Sequence, residues 1–193
     1  MSKTYTVAVL IGSLRRHSLS RKAAQALARL APADFALEIV EIGDLPLYDE
    51  DLEGENAPAE WSRFREKVRA ADAVLFVTPE YNRSVPGGLK NAIDVGSRPY
   101  GQAVWSGKPA AVMSLSQGAL GGFGANHHLR QMLVFFDMAV LQQPEAYVGN
   151  SAALFGHDGS FASESTEAFF KAFIGAFARL VERSAGPARE LAA

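Results

Sequence analysis

Three short runs of almost uninterrupted apolar residues constrain this chain more than any other feature. They are Tyr5–Ile11 (YTVAVLI), Ala73–Val77 (AVLFV) and Pro109–Leu115 (PAAVMSL). Such runs fit strands covered on both faces. Between them the apolar period changes. Ala23, Leu27 and Leu30 recur at helical spacing within Leu19–Leu30, and Trp61, Phe64, Val68 and Ala71 mark a second helical stripe. Phe35–Ile42 (FALEIVEI) alternates and predicts a strand, while Leu89–Val95 predicts a short helix. Leu129, Met132, Leu133 and Phe136 form a further helical face. Met138–Leu141 predicts a fifth strand, extended past Pro144 by Ala146–Val148. Ser163 is placed to cap a last helix carrying Phe169, Phe173, Phe177 and Leu180. Leu45–Pro58, with its acids, prolines and Gly54, reads as a loop, as does Ser97–Lys108.

Strands alternating with helices predict an α/β fold with a mainly parallel sheet. Five strands favour a flavodoxin-like arrangement: a doubly wound five-stranded parallel sheet with helices on both faces. The 193 residues carry no repeat and no linker, so residues 1–193 form a single domain, with a tail after Ser184 expected to fray. At 48% hydrophobic and 21% charged residues the chain is not disordered. A net charge of -2 gives no global reason to bind nucleic acid or an anionic membrane. Cysteine is absent, which removes disulfides, thiolate metal sites and a cysteine nucleophile, and fits a reducing compartment. The sequence shows no secretory leader pattern. The longest uncharged stretch, Pro109–Leu129, is interrupted by Gly, Ser, Asn and His and is no membrane span. A cytoplasmic address is expected.

In open α/β sheets ligands bind beyond the carboxyl ends of the strands. Three loops follow the apolar runs there. The first, Gly12–Ser20 (GSLRRHSLS), joins a strand to a helix, where hydroxyls and free N–H groups suit a phosphate and Arg15 adds a charge. An ordinary capped loop explains it equally well. The loop matches neither Gly-x-Gly-x-x-Gly nor the phosphate-loop pattern, since Lys108 is followed by Pro109. The second, Thr78–Asn91, offers Tyr81 as a flat surface and backbone amides for a planar ligand's edge; a rigid turn with an exposed Tyr competes with that reading. The third, Ser114–Gly124, holds glycines that let backbone approach a ring closely.

These segments carry a resemblance. GSLRRHSLS at Gly12–Ser20, TPEYNRSVPGGLKNAIDVGSRP at Thr78–Pro99, SQGALGG at Ser116–Gly122 and HLRQML at His128–Leu133 resemble the NADPH-dependent FMN reductases, especially their chromate and quinone reductase branch. The likeness runs from about Val7 to Val148. It implies a flavodoxin-like fold, FMN as cofactor and NADPH or NADH as electron donor. It places Ser13, Arg15, Ser18, Leu19 and Ser20 at the FMN phosphate, with Ser20 where close relatives commonly have Asn. Pro79, Glu80, Tyr81, Asn82 and Arg83 fall along the isoalloxazine, and Ser116 is a flavin contact in the third loop. Arg83 stands where relatives often have an aromatic or another residue. A homodimer or homotetramer is implied; Glu145 matches the tetrameric relatives, whereas Gly124 and His127 depart from them.

The implied activity is an FMN-dependent NAD(P)H oxidoreductase. Hydride passes to FMN and then, ping-pong, to a small-molecule acceptor: quinones, chromate, azo compounds or flavins. No catalytic side chain is assigned, since hydride transfer needs no acid or base. The rival is a flavodoxin-like electron carrier without nicotinamide turnover, which strong acidity would favour and a charge of -2 does not. His127 and His128 are adjacent, so they do not form a metal pair on a helix, and no metal is expected.

Overall fold

A computed structural model of the chain describes residues 3–156 and 159–185. The strands are β1 (Tyr5–Ile11), β2 (Phe35–Val40), β3 (Ala73–Pro79), β4 (Pro109–Leu115), β5 (Ala139–Val140) and β6 (Ala146–Val148). The helices are α1 (Leu19–Leu30), α2 (Ala59–Ala70), α3 (Gly87–Gly96), α4 (Phe123–Phe135) and α5 (Glu164–Ser184). The sheet runs β2-β1-β3-β4-β5, with β6 also on β4, and the pairs are parallel. This is the flavodoxin-like order, and it reverses between β1 and β3.

Alternate residues of the central strands feed two cores. Val7, Val9, Leu75, Val77 and Met113 pack under α1 and α5, with Phe170, Phe173 and Phe177 against them. Ala8, Leu10, Val74, Phe76 and Val112 face α2, α3 and α4, filled by Trp61, Phe64 and Trp105. Burial on both faces is why these strands read as unbroken apolar runs.

β1, β4 and α1 have the expected bounds, and other elements differ. The second strand ends at Val40 rather than Ile42, because Leu10 pairs Val40 and β1 has only Ile11 left to offer. β3 continues two residues past Val77: Thr78 and Pro79 pair Ser114 and Leu115, and at a strand's last position a proline's missing N–H costs little. The expected fifth strand is two pieces on one edge of β4, and the chain leaves the ladder around Pro144, which has no N–H to donate. The buried stripe of α5 is Phe170, Phe173, Ile174, Phe177 and Val181, with Phe169 and Leu180 only partly covered at its margin. Ser163 caps α5 as expected, accepting from the Thr166 amide at 3.2 Å. The tail expected to fray lies outside the described residues beyond Ala185. No helix among the described residues is long and apolar enough to cross a membrane.

Candidate cofactor site

The carboxyl ends of β1, β3 and β4 bring the three loops into one cleft. Ser13, Arg15, Leu19, Ser20, Pro79, Glu80, Tyr81 and Ser116 line it, together with Leu115, Gln117, Gly118 and Ser151. Gly12 fixes the approach of the first loop. A Cβ there would stand 2.3 Å from Thr78 Oγ1, so only glycine lets the first loop cross so close to β3. The Gly12 amide donates to Val77 O at 2.9 Å across the strand reversal.

The serines of the first loop divide their work. Ser18 is buried, and its Oγ accepts from the Arg21 amide at 3.1 Å, capping α1. It does not line the cleft. Ser13 and Ser20 are also buried and do line it, yet their hydroxyls have no hydrogen-bond partner among the described residues. The Leu19 and Ser20 amides open the helix and likewise have no intrahelical acceptor. Two free hydroxyls, two free amides and the exposed Arg15 form a donor set without an acid, which fits a phosphate.

The second loop is a tight hairpin turn. The Tyr81 amide donates to Ser84 O at 2.9 Å and the Ser84 amide to Tyr81 O at 3.0 Å. Asn82 and Arg83 both adopt positive φ, at 52° and 65°. That is the type I′ pattern. The turn engages the amides of Tyr81 and Ser84 and leaves those of Asn82 and Arg83 free. Neither Asn82 nor Arg83 lines the cleft; both stand exposed at its rim.

Glu80 anchors this turn. Its Oε2 accepts from the Ala125 amide at 3.0 Å, in the first turn of α4. A carboxylate at a helix N-terminus meets both orphan amides and the dipole. Gly124 makes room: a Cβ there would lie 2.9 Å from Arg83 O and 3.0 Å from Glu80 Oε2. A contact between residues 45 apart has no local sequence signal, and α4 accordingly begins at Phe123, inside the stretch expected to be turn.

The third loop rests on a buried polar network. Ser114 Oγ donates to Gly121 O at 2.7 Å, Asn126 Nδ2 donates to Ser114 Oγ at 3.1 Å, and Arg130 Nε donates to Asn126 Oδ1 at 2.8 Å. Ser116 Oγ accepts from the Gly118 amide at 3.1 Å and its carbonyl accepts from the Ser151 amide at 3.0 Å. Ser151 reaches the cleft only because β6 lies beside β4, so sequence reading missed it. Outside the cleft, the Tyr147 hydroxyl donates to Glu145 at 2.7 Å and is hydrogen-bonded to His127 Nε2 at 2.9 Å. Burial, then the Glu145 carboxylate, push the Tyr147 phenol up to about 12.

The model of the NADPH-dependent FMN reductase family matches residues 5–153. A quinone reductase of Pseudomonas putida is 62% identical over 182 residues, covering 94% of this chain and 97% of the relative. A 2-hydroxy-1,4-benzoquinone reductase of a Burkholderia species is 43% identical, covering 91% and 95%. Among solved structures, the flavoenzyme NAD(P)H:(acceptor) oxidoreductase FerB of Paracoccus denitrificans superposes with a TM-score of 0.88 at 42% identity, covering 94% of this chain and 99% of that one.

Proposed function

This chain belongs to the NADPH-dependent FMN reductase family, and from that premise we propose that it reduces quinones with electrons from NAD(P)H. It is an FMN-dependent oxidoreductase. The balance is NAD(P)H, one proton and a quinone in, NAD(P)⁺ and the hydroquinone out. Quinones are favoured because the P. putida and Burkholderia relatives are quinone reductases by name. The observation that carries the site is the acid-free donor set at α1: the Ser13 and Ser20 hydroxyls, the Leu19 and Ser20 amides and Arg15.

Bound FMN would supply the two-electron redox chemistry between nicotinamide and acceptor. In this reading the α1 donor set holds the phosphate. Pro79, Tyr81 and Ser116 position the ring system. The free amides of Asn82 and Arg83 would be the donors available to its edge and to negative charge there. Glu80 is bonded to the start of α4, so its carboxylate is engaged there. A cytoplasmic address, where the nicotinamide pool lies, is part of the reading. So is a homodimer, supported by the apolar outer side of α4, where Val134 and Phe135 are 74% and 83% exposed beside a groove of about 530 Å³.

Anaerobic titration tests the reading. Purified protein should be yellow, release FMN rather than FAD on heating, and bleach on adding NADPH. Re-oxidation by a quinone should restore the colour. A yellow protein that NADPH leaves unbleached, but that a reduced partner protein bleaches, would be an electron carrier.

A further inference from the structure

The second position of the Tyr81–Ser84 turn is occupied by the wrong kind of residue for its backbone. Type I′ turns place positive φ at both central residues, and the preferred pair is Asn-Gly. Asn82 obeys the preference at 52° and Arg83 does not, holding 65° with a full side chain. A left-handed conformation in a long residue is uncommon and persists where its surroundings impose it. Here they do: the turn is bonded twice to itself, Arg83 O is pressed against Gly124, and Ser84 Oγ is bonded to His128 Nδ1 at 2.7 Å. The turn is therefore rigid, and its tip carries a cation.

That cation is free. The Arg83 guanidinium is exposed and has no hydrogen-bond or ion-pair partner among the described residues. Glu80 and Asp94, near it in sequence, are engaged, Asp94 by Lys90 at 2.7 Å, and so are two acids that follow β2. Glu41 holds Arg21 at 2.8 and 2.9 Å, Asp44 holds Arg63 at 2.8 Å, and Glu80 accepts from the Ala125 amide. The loops after β1 and β4, Gly12–Ser18 and Ser116–Gly122, contain no carboxylate. Arg15 in the cleft and Arg83 at its rim are thus exposed cations at a cleft whose one lining carboxylate, Glu80, is bonded to α4. Two exposed cations at the cleft favour anionic ligands, and more so at low salt.

We propose that Arg83 is the acceptor-specificity residue of this site, selecting quinones that carry a negative charge, such as ionised hydroxyquinones, over neutral quinones. The proposal rests on the reading of the cleft as an FMN-dependent quinone reductase site. A hydroxyquinone is acidic because its conjugate base is a vinylogous carboxylate, and a guanidinium meets such an oxygen pair through its planar fork. The two-electron balance is that of the parent reaction; Arg83 transfers nothing and sets which acceptor is held.

The test compares 2-hydroxy-1,4-naphthoquinone, an anion at neutral pH, with uncharged 1,4-naphthoquinone, using the FMN-loaded protein. The ratio of kcat/KM for the first to that for the second should fall about tenfold in Arg83→Gln, the scale of one lost charge-assisted hydrogen bond. Arg83→Lys should recover part of it. Calorimetry without NADPH should show the hydroxyquinone's Kd rising about tenfold in Arg83→Gln. Raising the salt should erode the wild-type preference and leave the variant's unchanged. An unchanged ratio and Kd would overturn the assignment. So would a loss confined to NADPH relative to NADH, which would make the donor's 2′-phosphate the anion read at Arg83. FMN content is measured on both proteins: if wild type binds no FMN, the parent reading falls, whereas flavin-loaded proteins with equal ratios sink Arg83 alone.

Discussion

Side chains of one chemical type do different work here according to which bonds the backbone has already claimed. Ser13, Ser18 and Ser20 look alike in sequence, and all three are buried. Ser18 is engaged as the cap of α1, while Ser13 and Ser20 keep their hydroxyls open to the cleft. That division yields a paired prediction. Arg15→Ala should weaken FMN binding by about 1.5–3 kcal/mol, since it removes a charged donor, and should leave the urea midpoint of the apoprotein unmoved because Arg15 is exposed. Ser18→Ala should lower stability by about 1 kcal/mol through the lost cap, with a smaller change in FMN affinity. Fluorescence titration of FMN and urea unfolding of both variants check the pair; equal effects on affinity would dissolve the distinction. The sequence made the serines visible as a group. It did not show which one the helix would claim, because cap geometry depends on where the helix starts. Glu80 was legible as part of the flavin segment, but its bond to Ala125 was not, since it forms only when β3 and α4 are brought together.

At the scale of elements, legibility follows how local the cause is. β1 and β4 are almost wholly apolar and mostly buried, so their bounds could be read directly. The end of β2 depends on where its neighbour stops. The division of the fifth strand depends on Pro144 and on how much of β4 remains to pair. The glycine stretch before α4 reads as turn until a carboxylate from another loop completes the helix start. Even so, α4 presents more than its buried side requires. Val134 and Phe135 point outward near its end, with Tyr100 and Met132 lining the neighbouring groove. Large exposed aromatic and aliphatic side chains clustered on one face mark an interaction surface. The proposed homodimer should therefore show a mass near twice 20.7 kDa by light scattering. Phe135→Glu should shift it toward the monomer, and a wild-type monomer that holds FMN at micromolar concentration would exclude the dimer.

For the molecule as a whole, the parallel topology gathers three loops at one sheet edge, and with them one cleft. Its floor is closed by Leu115 and by Ser151, which is buried; its sides are the first loop, the Tyr81–Ser84 turn and the Gly118–Gly124 stretch. Each side is pinned from behind, the first by Gly12 against β3, the turn by Glu80 on α4, the glycine stretch by Ser114 and Asn126. With these sides fixed, a flavin bound in the cleft would meet donor and acceptor through one shared mouth. Two planar ligands cannot stack on the same surface together, so the nicotinamide has to leave before the quinone arrives. Steady-state kinetics should then be ping-pong. With NADPH varied at several fixed quinone concentrations, reciprocal plots should be parallel, and quinone at high concentration should inhibit competitively against NADPH. Intersecting lines would require both ligands to be bound at once, and the single-mouth account of this cleft would fail.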